Sequence, residues 1–257
     1  MEDKRAQGDV YLSVENAIAT IEFYHPSHNS LPSKVLAKFA QTIKEVGERD
    51  DVTVIVLKSS GERTFCAGAS FDELAAIENF EQGKAFFMGF ANVINACRTC
   101  PKLIIGRVQG KAVGGGVGIA SAVDYCYATR YAAVKLSELA IGIGPFVVGP
   151  AVERKVGTSA FSQMAMNATA WYSPDWAREQ GLFADLSENA DEMDEKISLL
   201  ANKLAQSSPE AQKLLKKVFW EGTEQWDTLL AERAAMSGQL VLSDFTTKAI
   251  NAFKAKA

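Results

Sequence analysis

The order of strand-like and helix-like segments limits the fold of this chain more than any other feature. Up to about residue 150, short apolar runs with strand character alternate with stretches whose apolar residues have helical spacing. After Pro150 the strand signals fade and helical patterns follow one another. This order predicts an α/β core with a C-terminal helical region, which we place at residues 1–195 and 196–257.

Charge and hydropathy exclude several classes of function. The net charge is −4 and no basic block is present, so we do not expect nucleic acid as a partner. The first residues are charged and have no apolar signal core, and no apolar run reaches membrane-spanning length. We therefore expect a cytoplasmic protein with no membrane partner.

The cysteines do not indicate a metal site. Cys97 and Cys100 form a C-x-x-C pair, but the chain has no second such pair, and its histidines, His25 and His28, lie in another segment. Cys97 also continues the helical apolar spacing of Phe90 and Val93, which is typical of a core residue. We expect no metal.

A glycine cluster at residues 114–118 follows a strand and precedes a helix-compatible run. Its spacing matches neither the dinucleotide-binding fingerprint nor the phosphate-binding loop. The first amides of a helix have no partner within the helix, and they carry the positive end of its dipole. A ligand oxygen can approach the bare N–H of Gly115, which would then form half of an oxyanion hole. Tight packing between the strand and the helix is the alternative explanation.

A second turn of the same kind lies at residues 61–74. The small residues Ala67, Gly68 and Ala69 follow a buried strand, and Ser70 is positioned to cap a helix that begins at Phe71. Two turns with bare amides can together hold one oxygen if the fold brings them together.

These two segments, "RTFCAGASFDEL" and "VQGKAVGGGVGIASAVDY", resemble the signature segments of the crotonase, or enoyl-CoA hydratase/isomerase, superfamily. The resemblance extends over nearly the whole chain. It implies a spiral of ββα units followed by helices that mediate trimerisation, and hence a homotrimer or homohexamer. It also implies an acyl-CoA substrate and no separate cofactor, because coenzyme A is part of the substrate.

The resemblance also assigns roles to residues. The N–H groups of Ala69 and Gly115 would form the oxyanion hole for a thioester carbonyl, and Glu138 would be the catalytic acid–base. The residues implied in binding the coenzyme A thioester are Ala67, Gly68, Ala69, Ser70, Phe71, Gly114 and Gly115. Lys254 and Lys256 near the C-terminus are candidates for contacting a coenzyme A phosphate, although a frayed tail is the simpler interpretation.

The reaction depends on the acids that are present. Family hydratases carry two glutamates, at the positions of Gly118 and Glu138, and this chain keeps only the second. The apolar neighbours of Glu138 in sequence predict that it is buried and that its pKa is raised, which suits it to proton transfer. Isomerisation of an enoyl-CoA through one carboxylate is therefore the favoured reaction.

Other functions remain open at this point. The chain could be an enoyl-CoA or methylglutaconyl-CoA hydratase with a substitute acid, or a dehalogenase, thioester hydrolase or decarboxylase on the same scaffold. A non-catalytic acyl-CoA binding protein is an alternative of a different class, in which Gly118 would mark lost chemistry.

Overall fold

The structure is a computed structural model that describes residues 7–254, with side chains up to residue 252. The strands in chain order are β1 (Asp9–Glu15), β2 (Ile18–Tyr24), β3 (Ser30–Leu31), β4 (Val54–Ser59), β5 (Thr64–Cys66), β6 (Gly68–Ala69), β7 (Leu103–Val108), β8 (Lys111–Val113), β9 (Tyr125–Thr129), β10 (Val134–Lys135) and β11 (Asp185–Ser187). The α-helices are α1 (Ser33–Gly47), α2 (Phe71–Ala75), α3 (Phe80–Thr99), α4 (Gly115–Ala122), α5 (Gly149–Met166), α6 (Pro174–Glu179), α7 (Ala190–Ala205), α8 (Pro209–Phe219), α9 (Trp226–Leu240) and α10 (Asp244–Lys254).

The largest sheet has the strand order β1-β2-β4-β7-β9-β11. The pair β1 and β2 is an antiparallel hairpin, and each later neighbour is parallel. Asn16 and Ala17 form the hairpin turn with φ values of 51° and 63°, the left-handed backbone that a two-residue hairpin loop needs. Alternate residues of β2 are buried, whereas Leu12 in the middle of β1 is 42% exposed. Strand β11 at the far edge lies after Pro150, where the strand signals of the sequence fade, and it was not predicted.

The predicted ββα units are present. After a strand of the large sheet the chain adds a short strand to one of two smaller sheets, β10-β8-β5 or β3-β6, and then enters a helix. The segment β7-β8-α4 is the clearest example, because its three elements follow one another within residues 103–122. The turns after β6 and β8 lie close together because β5, which directly precedes β6, pairs with β8.

Both faces of the large sheet are covered, as parallel strands require. On one face, Val54 and Ile105 pack against Met193 and Ile197 of α7. The residues of the opposite face belong to the main core, together with those of α1 and α3. The central strands β4 and β7 are therefore buried almost continuously, whereas β2 at the hairpin alternates.

The helical C-terminal part packs closely on the core. At the crossing of α3 and α9, a Cβ on Gly83 would lie 2.8 Å from the carbonyl oxygen of Gly238, so both glycines permit close approach of the two backbones. The division at residues 195 and 196 stays a prediction, and that boundary falls inside the continuous helix α7. Within residues 7–254, none of the helices has both the length and the apolar character needed to cross a bilayer.

Candidate active site

A cavity of about 430 Å³ lies between the turns after β6 and β8, helices α2 and α3, and the segment after β10. Its walls are mainly apolar. The residues that line it are Ala67, Gly68, Ala69, Phe71, Leu74, Phe86, Phe87, Phe90, Val113, Gly114, Gly115, Lys135, Ser137, Glu138, Ala140, Ile141, Ile143, Pro145, Val147, Val148, Ala168 and Thr169. An apolar cavity with a few polar groups is the usual form of a small-molecule site.

The two turns that the sequence singled out meet in this cavity. Gly68 has a φ of 97°, and a Cβ there would lie 3.9 Å from the backbone nitrogen of Gly115 and 3.2 Å from the carbonyl oxygen of Val113. Gly114 has a φ of 52°, which turns the chain from β8 into α4. Both positions need glycine because L side chains rarely adopt these conformations.

The two residues whose backbone amides are candidates for an oxyanion hole, Ala69 and Gly115, both line the cavity. Gly115 is the first residue of α4, where N–H groups have no intrahelical acceptor. On the other turn, the N–H of Ser70 donates to the carbonyl oxygen of Leu31 at 3.1 Å. Because successive N–H groups of an extended strand point to opposite sides, the N–H of Ala69 points away from β3, and Ala69 lines the cavity.

Glu138 places one carboxylate in the same cavity, beside Gly114. It begins a 3₁₀ turn over Glu138–Ile141. Its Oε1 lies 2.9 Å from the position that a Cβ on Gly114 would take. Its Oε2 is buried and has no hydrogen-bond partner among the described residues. Burial raises the pKa of Glu138 to about 7, against the opposing effect of nearby backbone hydrogen bonds.

The backbone around Glu138 is held on both sides. The N–H of Ile143 donates to the carbonyl oxygen of Glu138 at 3.0 Å, and Gly142 ends the turn in the left-handed region. Phe245 and Thr246 at the start of α10 pack directly on Gly142. The C-terminal helix thus braces the turn that carries the carboxylate.

The side chain of Val148 occupies the space that a side chain at Gly118 would enter. A Cβ on Gly118 would lie 2.5 Å from Cγ1 of Val148 and 3.6 Å from Cδ1 of Ile94. Val148 itself lines the cavity. Among the described residues of the lining, Glu138 is the only carboxylate.

The cavity brings together most of the residues named from the sequence. Ala67, Gly68, Ala69, Phe71, Gly114, Gly115 and Glu138 all line it. Ser70 is not part of the lining: its Oγ accepts the N–H of Glu73 and caps α2, as its position predicted. The side chain of Lys254 and the whole of Lys256 lie outside the described part of the chain.

Several lining residues were not identified from the sequence. Val148 and Lys135 are examples, because neither stands in a recognisable motif and each reaches the cavity through tertiary structure. The aromatic residues of α3 form one wall of the cavity: Phe86 and Phe90 are buried, and Phe87 is half-buried.

The geometry can perform two chemical tasks. The paired turns can hold an oxygen on which negative charge develops, and Glu138 can take up or return a proton close to that oxygen. Within the described residues, no three His, Cys, Asp or Glu side chains gather in a metal-binding arrangement.

Comparison with known proteins agrees with this arrangement. Residues 13–257 match the model of the enoyl-CoA hydratase/isomerase family. The chain is 28% identical over 248 residues to the short-chain-enoyl-CoA hydratase of Clostridium acetobutylicum, covering 95% of this chain and 94% of that protein. It is 24% identical over 269 residues to the peroxisomal Delta(3,5)-Delta(2,4)-dienoyl-CoA isomerase of Arabidopsis thaliana, covering 98% and 95%.

The fold also matches solved structures. The enoyl-CoA hydratase from Bacillus halodurans superimposes with a TM-score of 0.87 at 19% identity, covering 95% of this chain and 99% of that one. The predicted crotonase-type α/β fold is therefore confirmed.

Proposed function

Because this chain belongs to the enoyl-CoA hydratase/isomerase family, we propose that it moves the double bond of an enoyl-CoA from the 3-position to the 2-position. The observation that carries the proposal is that Glu138 is the single carboxylate among the described residues that line the cavity. Glu138 lies beside Gly114 and lines the same cavity as Ala69 and Gly115, while Val148 fills the space beside Gly118. Removing and returning one proton requires one acid–base group, and this cavity supplies one.

Binding comes first in the proposed mechanism. The thioester oxygen of the substrate accepts hydrogen bonds from the N–H groups of Ala69 and Gly115. The amide of Ala69 belongs to β6 and that of Gly115 to the first turn of α4, so both are held by regular structure and need little rearrangement when charge develops. Loss of one such donor typically costs about 2.7–4 kcal/mol of transition-state stabilisation.

Proton transfer follows. The ionised carboxylate of Glu138 removes a proton from C2, and the electron pair spreads over C2, C3, C4 and the thioester oxygen, forming a dienolate. Glu138 then returns the same proton to C4, and the double bond remains between C2 and C3. Atoms and charge balance without a second acid, water or redox partner. A glutamate whose pKa is about 7 exchanges protons readily near neutral pH.

Hydration is the second candidate. It is favoured by the name of the Clostridium relative, a short-chain-enoyl-CoA hydratase that is matched over nearly its whole length. Addition of water to a 2-enoyl-CoA is easier with two groups that hold and polarise the water. Ser137 and Thr169 are the hydroxyl-bearing residues of the lining that are available to assist Glu138.

We also propose that the protein is a cytoplasmic homotrimer or homohexamer. Support for assembly comes from an exposed apolar face on α8, formed by Leu214, Leu215, Val218 and Phe219. Leu230 of α9, by contrast, is fully buried in the core of its own chain. Light scattering at micromolar concentration tests the assembly, and a monomer would overturn it.

The reaction is tested by incubating the purified protein with 3-enoyl-CoA and 2-enoyl-CoA substrates in deuterated water. Isomerisation predicts a 2-enoyl-CoA product from the first substrate, with little water addition to the second. Efficient hydration without isomerisation would establish the second candidate. Binding of thioesters without turnover of any of them would indicate a non-catalytic acyl-CoA binding protein.

A further inference from the structure

Two lysines and a tryptophan form a cationic cluster at one edge of the cavity. The Nζ of Lys135 lies 4.6 Å from the centre of the Trp171 ring, and the Nζ of Lys111 lies 4.9 Å from it. Lys135 lines the cavity that also contains Glu138. The cluster of Lys111, Lys135 and Trp171 has no role in the proton transfer proposed above.

The fold fixes the relative positions of the three side chains. Strands β8 and β10 are parallel, with Lys135 opposite Val113, so Lys111 and Lys135 are on the same face of the small sheet. Trp171 precedes Tyr172, which exchanges two backbone hydrogen bonds with Val134. The ring is thereby held at the edge of β10 next to both ammonium groups.

The charge of this cluster is not neutralised within the protein. Neither Lys111 nor Lys135 forms an ion pair with any acidic side chain in residues 7–252. Two ammonium groups near one ring repel each other, and the attraction of each to the ring face is modest. An anion bound between them would relieve this repulsion and form charge-assisted hydrogen bonds.

The distance to the reaction centre limits what that anion can be. The carbonyl oxygen of Lys135 accepts the N–H of Gly114 at 2.9 Å, so its backbone lies next to the residue before Gly115. An extended lysine side chain is about 6 Å long. Measured from the Lys135 backbone beside Gly114, the ammonium therefore lies within roughly 10 Å of the amides proposed to bind the thioester oxygen. The phosphates of coenzyme A are separated from the thioester by about a dozen bonds, or about 15 Å when extended.

We propose that the cluster of Lys111, Lys135 and Trp171 recognises a carboxylate at the far end of the acyl group. The substrate would then be a monothioester of a short dicarboxylic acid, about four to six carbons long. Six carbons in a chain span about 6 Å, and a hydrogen bond of about 3 Å completes the distance to the ammonium. Lys135 contacts the carboxylate directly, and Lys111 adds positive potential. The kinetic part of this inference rests on the proposed isomerase reaction, whereas the predicted preference in binding does not.

The test compares two substrates that differ only at the far end: the coenzyme A monothioester of 3-hexenedioic acid and 3-hexenoyl-CoA. The native protein is expected to favour the first in kcat/KM by at least about 10-fold. In Lys135→Met, the ratio of the two kcat/KM values is expected to fall by about 10- to 100-fold, as for a lost hydrogen bond to a charged group. Lys135→Arg should keep most of the preference.

A matched control is Lys203→Met, which removes an exposed lysine from α7, a helix that packs on the other side of the large sheet. It should leave the ratio unchanged. Two results would overturn the inference. One is equal kcat/KM for both substrates in the native protein. The other is equal weakening of both substrates by Lys135→Met, which would assign the lysine to a coenzyme A phosphate.

A binding measurement separates this inference from the proposed reaction. Calorimetry with the non-reactive adipoyl-CoA and hexanoyl-CoA is expected to give tighter binding of adipoyl-CoA, and Lys135→Met should abolish the difference. If this preference is found but neither unsaturated substrate turns over, the isomerase proposal fails and the inference stands. If the neutral substrate is isomerised and both saturated thioesters bind equally, the inference alone fails.

Discussion

Val148 occupies the space beside Gly118: its Cγ1 lies 2.5 Å from the position that a Cβ on Gly118 would take. The two residues lie on different elements, Gly118 in the first turns of α4 and Val148 immediately before α5. Any side chain at Gly118 would have to displace Val148, which lines the cavity. Among the described residues the cavity lining has no second acid, and the apolar side chain of Val148 takes the place that a side chain at Gly118 would enter.

Replacement of Gly118 by Glu tests this relationship. Gly118→Glu alone is expected to lower the free energy of unfolding by about 1–3 kcal/mol, because the new side chain overpacks against Val148 and Ile94. The combination of Gly118→Glu with Val148→Ala should recover part of this loss, since the valine methyl groups are removed. We expect the double variant, and not the native protein, to add water to 2-enoyl-CoA at a measurable rate.

The control for this experiment is Val148→Ala alone, which enlarges the cavity without adding an acid. Denaturant unfolding measures the stability of all three variants, and the absorbance of the 2-enoyl thioester measures hydration. Full stability of Gly118→Glu would contradict the packing argument. Equal hydration by Val148→Ala and by the double variant would show that the added carboxylate does not contact the water.

Removal of the Glu138 carboxylate should stop turnover and preserve binding. Glu138→Gln keeps nearly the same shape but cannot accept the C2 proton, so kcat for isomerisation should fall by about 10²–10⁴-fold. The dissociation constant for a saturated acyl-CoA should change little, because the amides that bind its oxygen belong to other segments. Glu195→Gln on the exposed side of α7 is the matched control. Retention of more than a tenth of the native kcat would exclude Glu138 as the base.

The pH dependence of activity follows from the same group. Burial raises the pKa of Glu138 to about 7, and the ionised form removes the proton. We expect kcat/KM for a 3-enoyl-CoA to rise with pH up to about 7 and then to level off. A profile that is flat between pH 5 and 8, in a range where the protein stays folded, would contradict a base with this pKa.

Stability should respond to pH in the opposite direction. Between about pH 4.5 and pH 7 the folded protein holds the Glu138 proton more tightly than the unfolded chain does, so this group's contribution to stability decreases as pH rises. The full effect is at most about 3 kcal/mol. Glu138→Gln lacks this contribution. The variant should therefore gain stability relative to the native protein as the pH rises over this range, measured as the free energy of unfolding.

Local patterns were sufficient to predict much of the site. The cap at Ser70, the start of α4 near Gly115 and the burial of the Glu138 carboxylate each depend on residues close in sequence. A second reason for glycine at position 115 could not be predicted, because it depends on a residue of another helix, α3. A Cβ there would overlap the buried ring of Phe90, so packing as well as access to the amide requires glycine.

A buried lysine on α8 is a second feature that the sequence pattern does not predict. Lys213, Lys216 and Lys217 read as one solvated face of a helix, yet the side chain of Lys216 is only 3% exposed. Its Nζ lies 2.7 Å from Oδ2 of Asp124, whose side chain is 6% exposed. The partner stands 92 positions away in the chain, so only the tertiary fold reveals the pair.

The pair of Lys216 and Asp124 is expected to anchor α8 to the core. Asp124 also accepts the Nε1–H of Trp220 at 2.9 Å and the N–H of Ile104 at 2.8 Å, so one carboxylate connects α8 with β7. Lys216→Met would leave this buried charge without its ammonium partner. Breaking such a pair typically costs about 3–5 kcal/mol, and we expect a loss of this size in urea unfolding.

Two variants distinguish an unpaired charge from lost packing. Adding Asp124→Asn to Lys216→Met removes the buried charge, so it should restore part of the stability. The recovery should be incomplete, because Trp220 and Ile104 donate to different oxygens of Asp124 and the amide of Asn offers only one acceptor oxygen. Lys217→Met, one residue further along α8 and exposed, should change the unfolding free energy by no more than about 0.5 kcal/mol. If Lys216→Met were as mild as Lys217→Met, the ion pair would contribute nothing to holding α8 in place.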